Sequence, residues 1–135
     1  MDTSGKDGTT RKHDFLWRIN NALPAPRMIG IFNRSHYEDV LIARVRSLVP
    51  EAVWSKRYDE INRFERRVTA ANTTIVKICL HISFDEQRKR LLARLLDPTK
   101  RWKFNPKDLD ERERWPDYQV AYDAALFRCS TDYAP

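Results

Sequence analysis

The residues best equipped for chemistry lie together in Asn33-Arg34-Ser35-His36-Tyr37-Glu38-Asp39. They follow a short apolar run, Met28 to Phe32, and stand where a helix is expected to begin. An arginine at such a junction holds phosphoryl oxygens in a bidentate way, while Asn33, Glu38 or Asp39 can bind Mg²⁺ directly or through water. A structural role accounts for part of the cluster: Ser35 caps the helix, and Glu38, three residues on, completes a capping box with it. Both roles can hold at once, and capping leaves Arg34, Tyr37 and Asp39 without a reason.

Two other groups offer cations to an anionic ligand. In Asp2-Thr-Ser-Gly5-Lys6-Asp7-Gly8, the glycines and the lysine match the end of a loop that surrounds a phosphate with backbone N–H groups at a helix N-terminus. The match is partial, because the full pattern needs an upstream glycine and a preceding strand, and Asp7 stands where a Ser or Thr ordinarily holds Mg²⁺. By itself, a Gly-Lys pair in a polar terminal stretch is more often frayed tail than nucleotide site. Lys100-Arg101-Trp102-Lys103-Phe104, preceded by Arg88, Lys89, Arg90 and Arg94, interleaves cations with aromatics. That pattern suits a flexible polyanion, with charges on the phosphates and rings anchoring the segment. Solvated surface charge is the commoner explanation of such runs. Here the run lies between two predicted helices, which also fits a lid that closes on phosphate.

The elements that must carry these groups can be read from hydrophobic spacing. Phe15, Leu16, Ile19 and Leu23 make a helix over residues 13–23 that Pro24 and Pro26 stop. Met28 to Phe32 reads as a buried parallel strand whose C-terminal end opens into the site. Val40, Leu41, Val45, Leu48 and Val49 mark an amphipathic helix from His36 to Val49, closed by Pro50. Val53, Trp54, Tyr58, Ile61, Phe64 and Val68 mark a second, over residues 51–71. The β-branched run from Thr73 to Ile82 reads as a second buried strand. It places Cys79 in the core and His81 at a buried or half-buried position, with His13 on a surface helix. Ser83, with Glu86 three residues on, starts a helix through Leu91, Leu92, Leu95 and Leu96 that breaks at Asp97-Pro98. Residues 99–110 look irregular and mobile, and a last helix runs from about Pro116 to Arg128. Strands alternating with helices imply an α/β domain with a parallel sheet. Two visible strands are too few, so further strands are expected, from additional sequence or a partner chain.

Bulk composition agrees with a single folded domain. The chain has 135 residues, 41% hydrophobic and 33% charged, with four tryptophans. Its net charge of +6 attracts polyanions. Cys79 and Cys129 have neither disulfide-framework nor zinc-ligand spacing, which fits a reducing cytoplasm. No run approaches a membrane span and no signal-peptide core is present, so a soluble protein with no membrane partner is expected. Gly-x-Ser-x-Gly and His-Glu-x-x-His motifs are absent, which removes support for the corresponding hydrolases and zinc proteases. Charge and aromatics alone favour a nucleic-acid module, and no recognition motif supports one.

Taken together, Met1–Gly8, Ile31–Leu41 and Asp97–Phe104 are similar to the polyphosphate kinase 2 family, with a resemblance that covers residues 13–135. It implies a P-loop kinase-like parallel sheet flanked by helices, here incomplete, with a basic lid. It further implies Mg²⁺-dependent phosphoryl transfer between inorganic polyphosphate and a nucleoside mono- or diphosphate, by a cytoplasmic homo-oligomer. By position, Asp2 and Lys6 match the acid and lysine of the phosphate loop, with Gly5 and Gly8 beside them. Asn33 and Arg34 match the end of the Walker B strand, with Glu38 and Asp39 as neighbouring acidic positions. Lys100, Arg101 and Lys103 match the basic lid. Catalysis is thereby expected of Asp2, Lys6 and Arg34, and metal binding of Asp2, Asn33, Glu38 and Asp39. The expected organisation is one domain over residues 1–135: a partial phosphate loop at 1–12, a core at 13–96, a lid at 97–115 and a C-terminal helix and tail at 116–135. Family members carry a further strand between the positions of Lys12 and His13, and too few residues lie between Lys6 and Ile29 to hold it. The chain therefore reads as a truncated, internally shortened relative, for which an inactive module that binds a polyanion or a subunit is the alternative function.

Overall fold

The computed structural model describes residues 14–135, so Asp2, Gly5, Lys6, Gly8 and His13 lie outside the described residues. Among the described residues six α-helices follow one another: α1 (Trp17–Asn21), α2 (Glu38–Val45), α3 (Glu51–Ala70), α4 (Phe84–Leu96), α5 (Lys107–Glu113) and α6 (Trp115–Cys129). A 3-10 turn, Arg101–Lys103, sits between α4 and α5.

The core is a layer of three helices, α2, α3 and α6, which pack on one another. Val40, Leu41 and Val45 of α2 meet Tyr58 and Ile61 of α3 and Ala121, Ala125 and Cys129 of α6. Alanines at 43, 121 and 125 keep the facing surfaces low, so α2 and α6 approach closely. On α3 the buried residues are Tyr58, Ile61, Phe64, Glu65 and Val68, a single stripe at helical spacing. One member of that stripe is a glutamate. Val53, expected on it, is exposed.

Helix ends follow local chemistry. α2 and α3 both close with a left-handed residue, Ser47 (φ 50°) and Asn72 (φ 66°). In each case the next N–H reaches back across the last turn, Leu48 to Ala43 O at 2.9 Å and Thr73 to Val68 O at 3.3 Å. α2 is therefore shorter than the expected 36–49. At its start the expected capping box does not form. Ser35 Oγ accepts from the Tyr37 N–H at 3.3 Å, and the Glu38 carboxylate pairs with the Arg34 side chain instead of accepting from the Ser35 N–H. α4 begins as expected, with Ser83 Oγ accepting from Glu86 N–H at 3.1 Å, while the Glu86 side chain pairs forward with Arg90.

Three expectations need correction. Residues 28–32 and 73–82 are extended, yet no strand occurs among the described residues beyond an isolated Thr131–Ala134 bridge, because neither segment hydrogen-bonds to another described segment. Sheet structure requires a paired partner, which neither segment supplies to the other. Cys79 and His81 are consequently exposed instead of lining a buried strand. The leucines of α4 are not buried either; this helix packs on the 3-10 turn and not in the three-helix core. Finally, the stretch expected to be irregular is mostly helical. Arg112 ties α5 to α4 by donating to Phe84 O at 2.7 Å and to Gln87 Oε1 at 3.1 Å, and it stacks on the Phe84 ring at 3.4 Å. No helix of the described residues is long and apolar enough to cross a membrane.

Candidate functional site

The turn at 33–37 joins the first extended segment to α2, and it is fixed from one side only. On its inner side, His36 and Tyr37 reach down to Glu65, whose side chain is fully buried. Glu65 Oε1 accepts from Tyr37 OH at 2.8 Å and from His36 Nε2 at 3.2 Å. Its other oxygen accepts from Lys77 Nζ at 2.9 Å. Lys77 also donates to Tyr37 OH at 3.2 Å and to the Cys129 carbonyl at 2.5 Å. One carboxylate therefore ties together the turn, α3, the second extended segment and the end of α6.

The electrostatics follow from this geometry. Burial pushes the Glu65 carboxyl upward, but the hydrogen bonds from His36, Lys77 and Tyr37 outweigh it and hold the group below its ordinary value. Burial and the adjacent Glu65 charge push the Tyr37 hydroxyl far up, so it remains a donor. Inside a protein, a buried charge that accepts three donors is held in one orientation, and it fixes theirs.

On the outer side of the turn, Arg34 has φ 71°. A non-glycine residue in this left-handed region costs about 1 kcal/mol. The side chain it presents is 83% exposed and only loosely paired, 3.7 Å from Glu38 Oε1. Asn33 beside it is exposed as well. The anchored inner side and the exposed outer side make Arg34 a cation on a fixed backbone whose head faces solvent and is held only by its loose pair with Glu38.

The two acidic candidates behave differently from one another. Asp39 faces α3, where Arg57 Nη1 donates to its carbonyl at 2.9 Å and its carboxylate at 3.3 Å, with the guanidinium stacked over Phe15 at 4.9 Å. Burial raises the Asp39 carboxyl against the opposing pull of Arg57. Glu38 is half exposed and points outward to Arg34. Among the described residues, no group of three or more His, Cys, Asp or Glu side chains converges on a point. Magnesium in phosphate-transfer sites takes about one or two carboxylates and fills its remaining positions with water and phosphate oxygens. Glu38 fits that need; Asp39 is committed to Arg57.

The basic segment is organised by its own Asp97. The Asp97 carboxylate accepts from the Thr99 N–H at 2.9 Å and the Thr99 hydroxyl at 2.7 Å, and pairs with Lys100 at 3.0 Å. These contacts, the Thr99 hydroxyl first and then Lys100, hold its carboxyl down to about 2. Arg101 Nε donates to Leu95 O at 3.0 Å, and Lys103 lies over the Trp102 ring at 5.1 Å. Lys100, Arg101 and Lys103 are thus gathered on one exposed 3-10 turn, on α4. They share no hydrogen bond or ion pair with Arg34 among the described residues.

Sequence reasoning passed over Glu65 and Lys77. A signal for each existed: a carboxylate in phase with Tyr58, Ile61 and Val68, and a lone lysine in a β-branched run. A charge on an apolar stripe is seldom buried without a partner of opposite sign.

The model of the polyphosphate kinase 2 (PPK2) family matches residues 3–135. The chain is 47% identical, over 159 aligned residues, to the AMP/ADP-polyphosphate phosphotransferase of Meiothermus ruber. It is 42% identical, over 171, to the ADP-polyphosphate phosphotransferase of Rhodopseudomonas palustris. Both alignments take in all of this chain but only 60% and 59% of the relatives, and both are longer than the chain, so the relatives carry internal segments with no counterpart here. The crystal structure of polyphosphate kinase 2 from Arthrobacter aurescens TC1 superposes on the whole chain with a TM-score of 0.92 at 50% identity, and the chain covers 47% of it. A family model that accounts for the basic segment, the Asn33–Asp39 turn and the helices under it leaves one conclusion: the chain belongs to the polyphosphate kinase 2 family.

Proposed function

We propose that this chain handles phosphate in a polyphosphate:nucleotide phosphotransferase. In the reaction, a terminal phosphate oxygen of a nucleoside mono- or diphosphate attacks the terminal phosphorus of inorganic polyphosphate. The P–O bond to the rest of the polymer breaks, and the polymer leaves one unit shorter. Phosphoryl transfer of this kind depends on positioning and charge neutralisation more than on covalent chemistry by the protein. The observation that carries the reading is Arg34, held in a left-handed turn above the Glu65 anchor with its guanidinium exposed and only loosely paired with Glu38.

In this reading Arg34 binds the transferring oxygens, and Lys100, Arg101 and Lys103 bind the polymer. Lys6, Gly5 and Gly8 belong to the same proposal as the phosphate loop, and Asp2, with Asn33 and Glu38, as the residues that would hold Mg²⁺. When bound, Mg²⁺ neutralises charge on the phosphate oxygens. Asp39 serves through Arg57, fixing α2 on α3. A P-loop-type parallel sheet, a homo-oligomer and a cytoplasmic setting complete the proposal. The two free cysteines are compatible with a reducing compartment, and the exposed apolar side chains Leu96 and Phe127 offer area for a subunit contact.

A noncatalytic polyanion-binding or subunit-interaction module is the second reading. It is favoured by the unpaired extended segments and by the commitment of Asp39 to Arg57. Incubation with polyphosphate, Mg²⁺ and AMP or ADP separates the two. New nucleoside di- or triphosphate, lost in Arg34→Ala, supports the enzyme. Polyphosphate binding without nucleotide product refutes it for this chain and leaves the module.

A further inference from the structure

Residues 84–113 carry the cations expected of the lid, yet neither α4, the 3-10 turn nor α5 contains a buried residue. Within itself this stretch is well fastened. Arg112 clamps α5 to the start of α4, while Arg101 Nε and the Asp97 carboxylate tie the 3-10 turn to the end of α4. Toward the helix layer the fastening is narrow. α5 packs on α6, and the Phe84 ring lies 5.5 Å from that of Trp115. Beyond these, every side-chain hydrogen bond or ion pair from 84–113 to the rest of the described residues passes through one group, the Glu111 carboxylate. Its Oε1 pairs with the guanidinium of Arg46, at the C-terminal end of α2, and its Oε2 accepts from Tyr118 OH of α6 at 2.5 Å. Burial pushes the Glu111 carboxyl up, but the Tyr118 hydrogen bond and Arg46 outweigh it and hold the group below its ordinary value. It is charged at neutral pH.

Helix α2 links this contact to the candidate site. Its first residue, Glu38, pairs with Arg34, and it ends on Arg46, which pairs with Glu111. Buried Val40, Leu41, Ala43 and Val45 seat the helix in the core between those two ends. We propose that Glu111 is a positioning residue: clasped by Arg46 and Tyr118, it latches 84–113 onto the helix layer that carries Arg34, so that Lys100, Arg101 and Lys103 meet polyphosphate in a fixed arrangement with Arg34. The ligand rests on the phosphate-handling reading, while the latch itself is measured with no ligand present. A latch and a bare charge have opposite effects when the carboxylate is removed. Loss of a negative charge from a chain of net charge +6 strengthens its attraction for a polyanion. Release of a latch weakens binding, because cations that no longer share one arrangement cease to engage a polymer as a unit.

The test uses Glu111→Ala in the full 135-residue chain, a change that frees both partners and keeps a good helix former in α5. Amide hydrogen exchange without ligand is expected to quicken by about ten-fold across 85–113, the effect of losing an ion pair and a hydrogen bond, and to stay unchanged at 40–68. The Kd for fluorescently labelled polyphosphate, read by anisotropy, is expected to rise by about three-fold to ten-fold. Exchanging the partners, Arg46→Glu with Glu111→Arg, leaves the net charge as it was and re-forms the pair. That double variant is expected to recover most of both losses, and Arg46→Glu alone to recover neither. Unchanged exchange at 85–113 in Glu111→Ala overturns the latch, and so does an equal rise at 40–68, which makes Glu111 a general support of the core. Polyphosphate binding that tightens in Glu111→Ala overturns the positioning role in favour of bare charge. A double variant no better than Arg46→Glu overturns the pairing. A parent chain that binds no polyphosphate refutes the phosphate-handling reading, and exchange then decides the latch alone, so the two ideas fail separately.

Discussion

Replacing Glu65 with leucine removes the carboxylate while filling most of its volume, so the expected loss comes from polar partners and not from a cavity. Three donors lose their acceptor: Tyr37 OH, His36 Nε2 and the Lys77 ammonium. Removing one member of a buried ion pair costs about 3–5 kcal/mol. Lys77 retains the Cys129 carbonyl and is partly exposed, so it can turn toward water, and the lower end of that range applies. A loss of about 3 kcal/mol corresponds to a Tm about 10 °C lower for a chain of this size. Urea and thermal unfolding measure it. The decisive comparison is the double variant Glu65→Leu with Lys77→Met. With both charges gone, it is expected to be more stable than Glu65→Leu alone by about 1 kcal/mol or more. A loss under about 1 kcal/mol for Glu65→Leu, the range of an exposed pair, or a double variant that is simply additive, would refute the view that a buried carboxylate holds the turn.

The same anchor sets a pH dependence. The Glu65 carboxyl is lowered in the folded state, so its contribution is complete above the unfolded value of about 4.3 and is lost as pH falls from there through the folded value. Urea midpoints of the parent chain are expected to drop over that acid range more steeply than those of Glu65→Leu. Arg34→Gly relieves the left-handed backbone and is expected to be as stable as the parent or up to about 1 kcal/mol more so, while phosphate transfer or polyphosphate binding falls. A large Tm loss there would assign Arg34 to structure. Ile61→Ala, in the fully buried centre of α3, is expected to cost about 2–5 kcal/mol in urea unfolding, and a change near zero would contradict the three-helix core. Ser83→Ala removes the only side-chain cap on α4 and is expected to cost about 1 kcal/mol locally, seen as faster amide exchange at Glu86 with little change in the core.

What the sequence settled by itself is what depends on neighbours along the chain. The spacing of Tyr58, Ile61, Phe64 and Val68, the break at Asp97-Pro98 and the Ser83 cap are local facts, and α3, α4 and α6 were legible from them. Family membership was legible too, because Arg34 with its flanking apolar run and the basic run at 100–104 are short patterns of residue type. The location of Arg34 on an open turn followed from the same pattern. Tertiary structure decided what depends on partners distant in sequence. The apolar runs at 28–32 and 73–82 have the composition of buried strands, but burial and pairing require a neighbour that composition cannot name, and Ile29, Ile31, Val76, Ile78 and Leu80 are exposed. Glu38 and Asp39 are adjacent in sequence, and successive helix positions diverge, so Arg34 takes one and Arg57 the other. Glu65 joins residues 28 and 29 positions away in one hydrogen-bonded cluster. Only folding brings those groups within reach, and burial is what turns a glutamate on an apolar stripe into the anchor of the site.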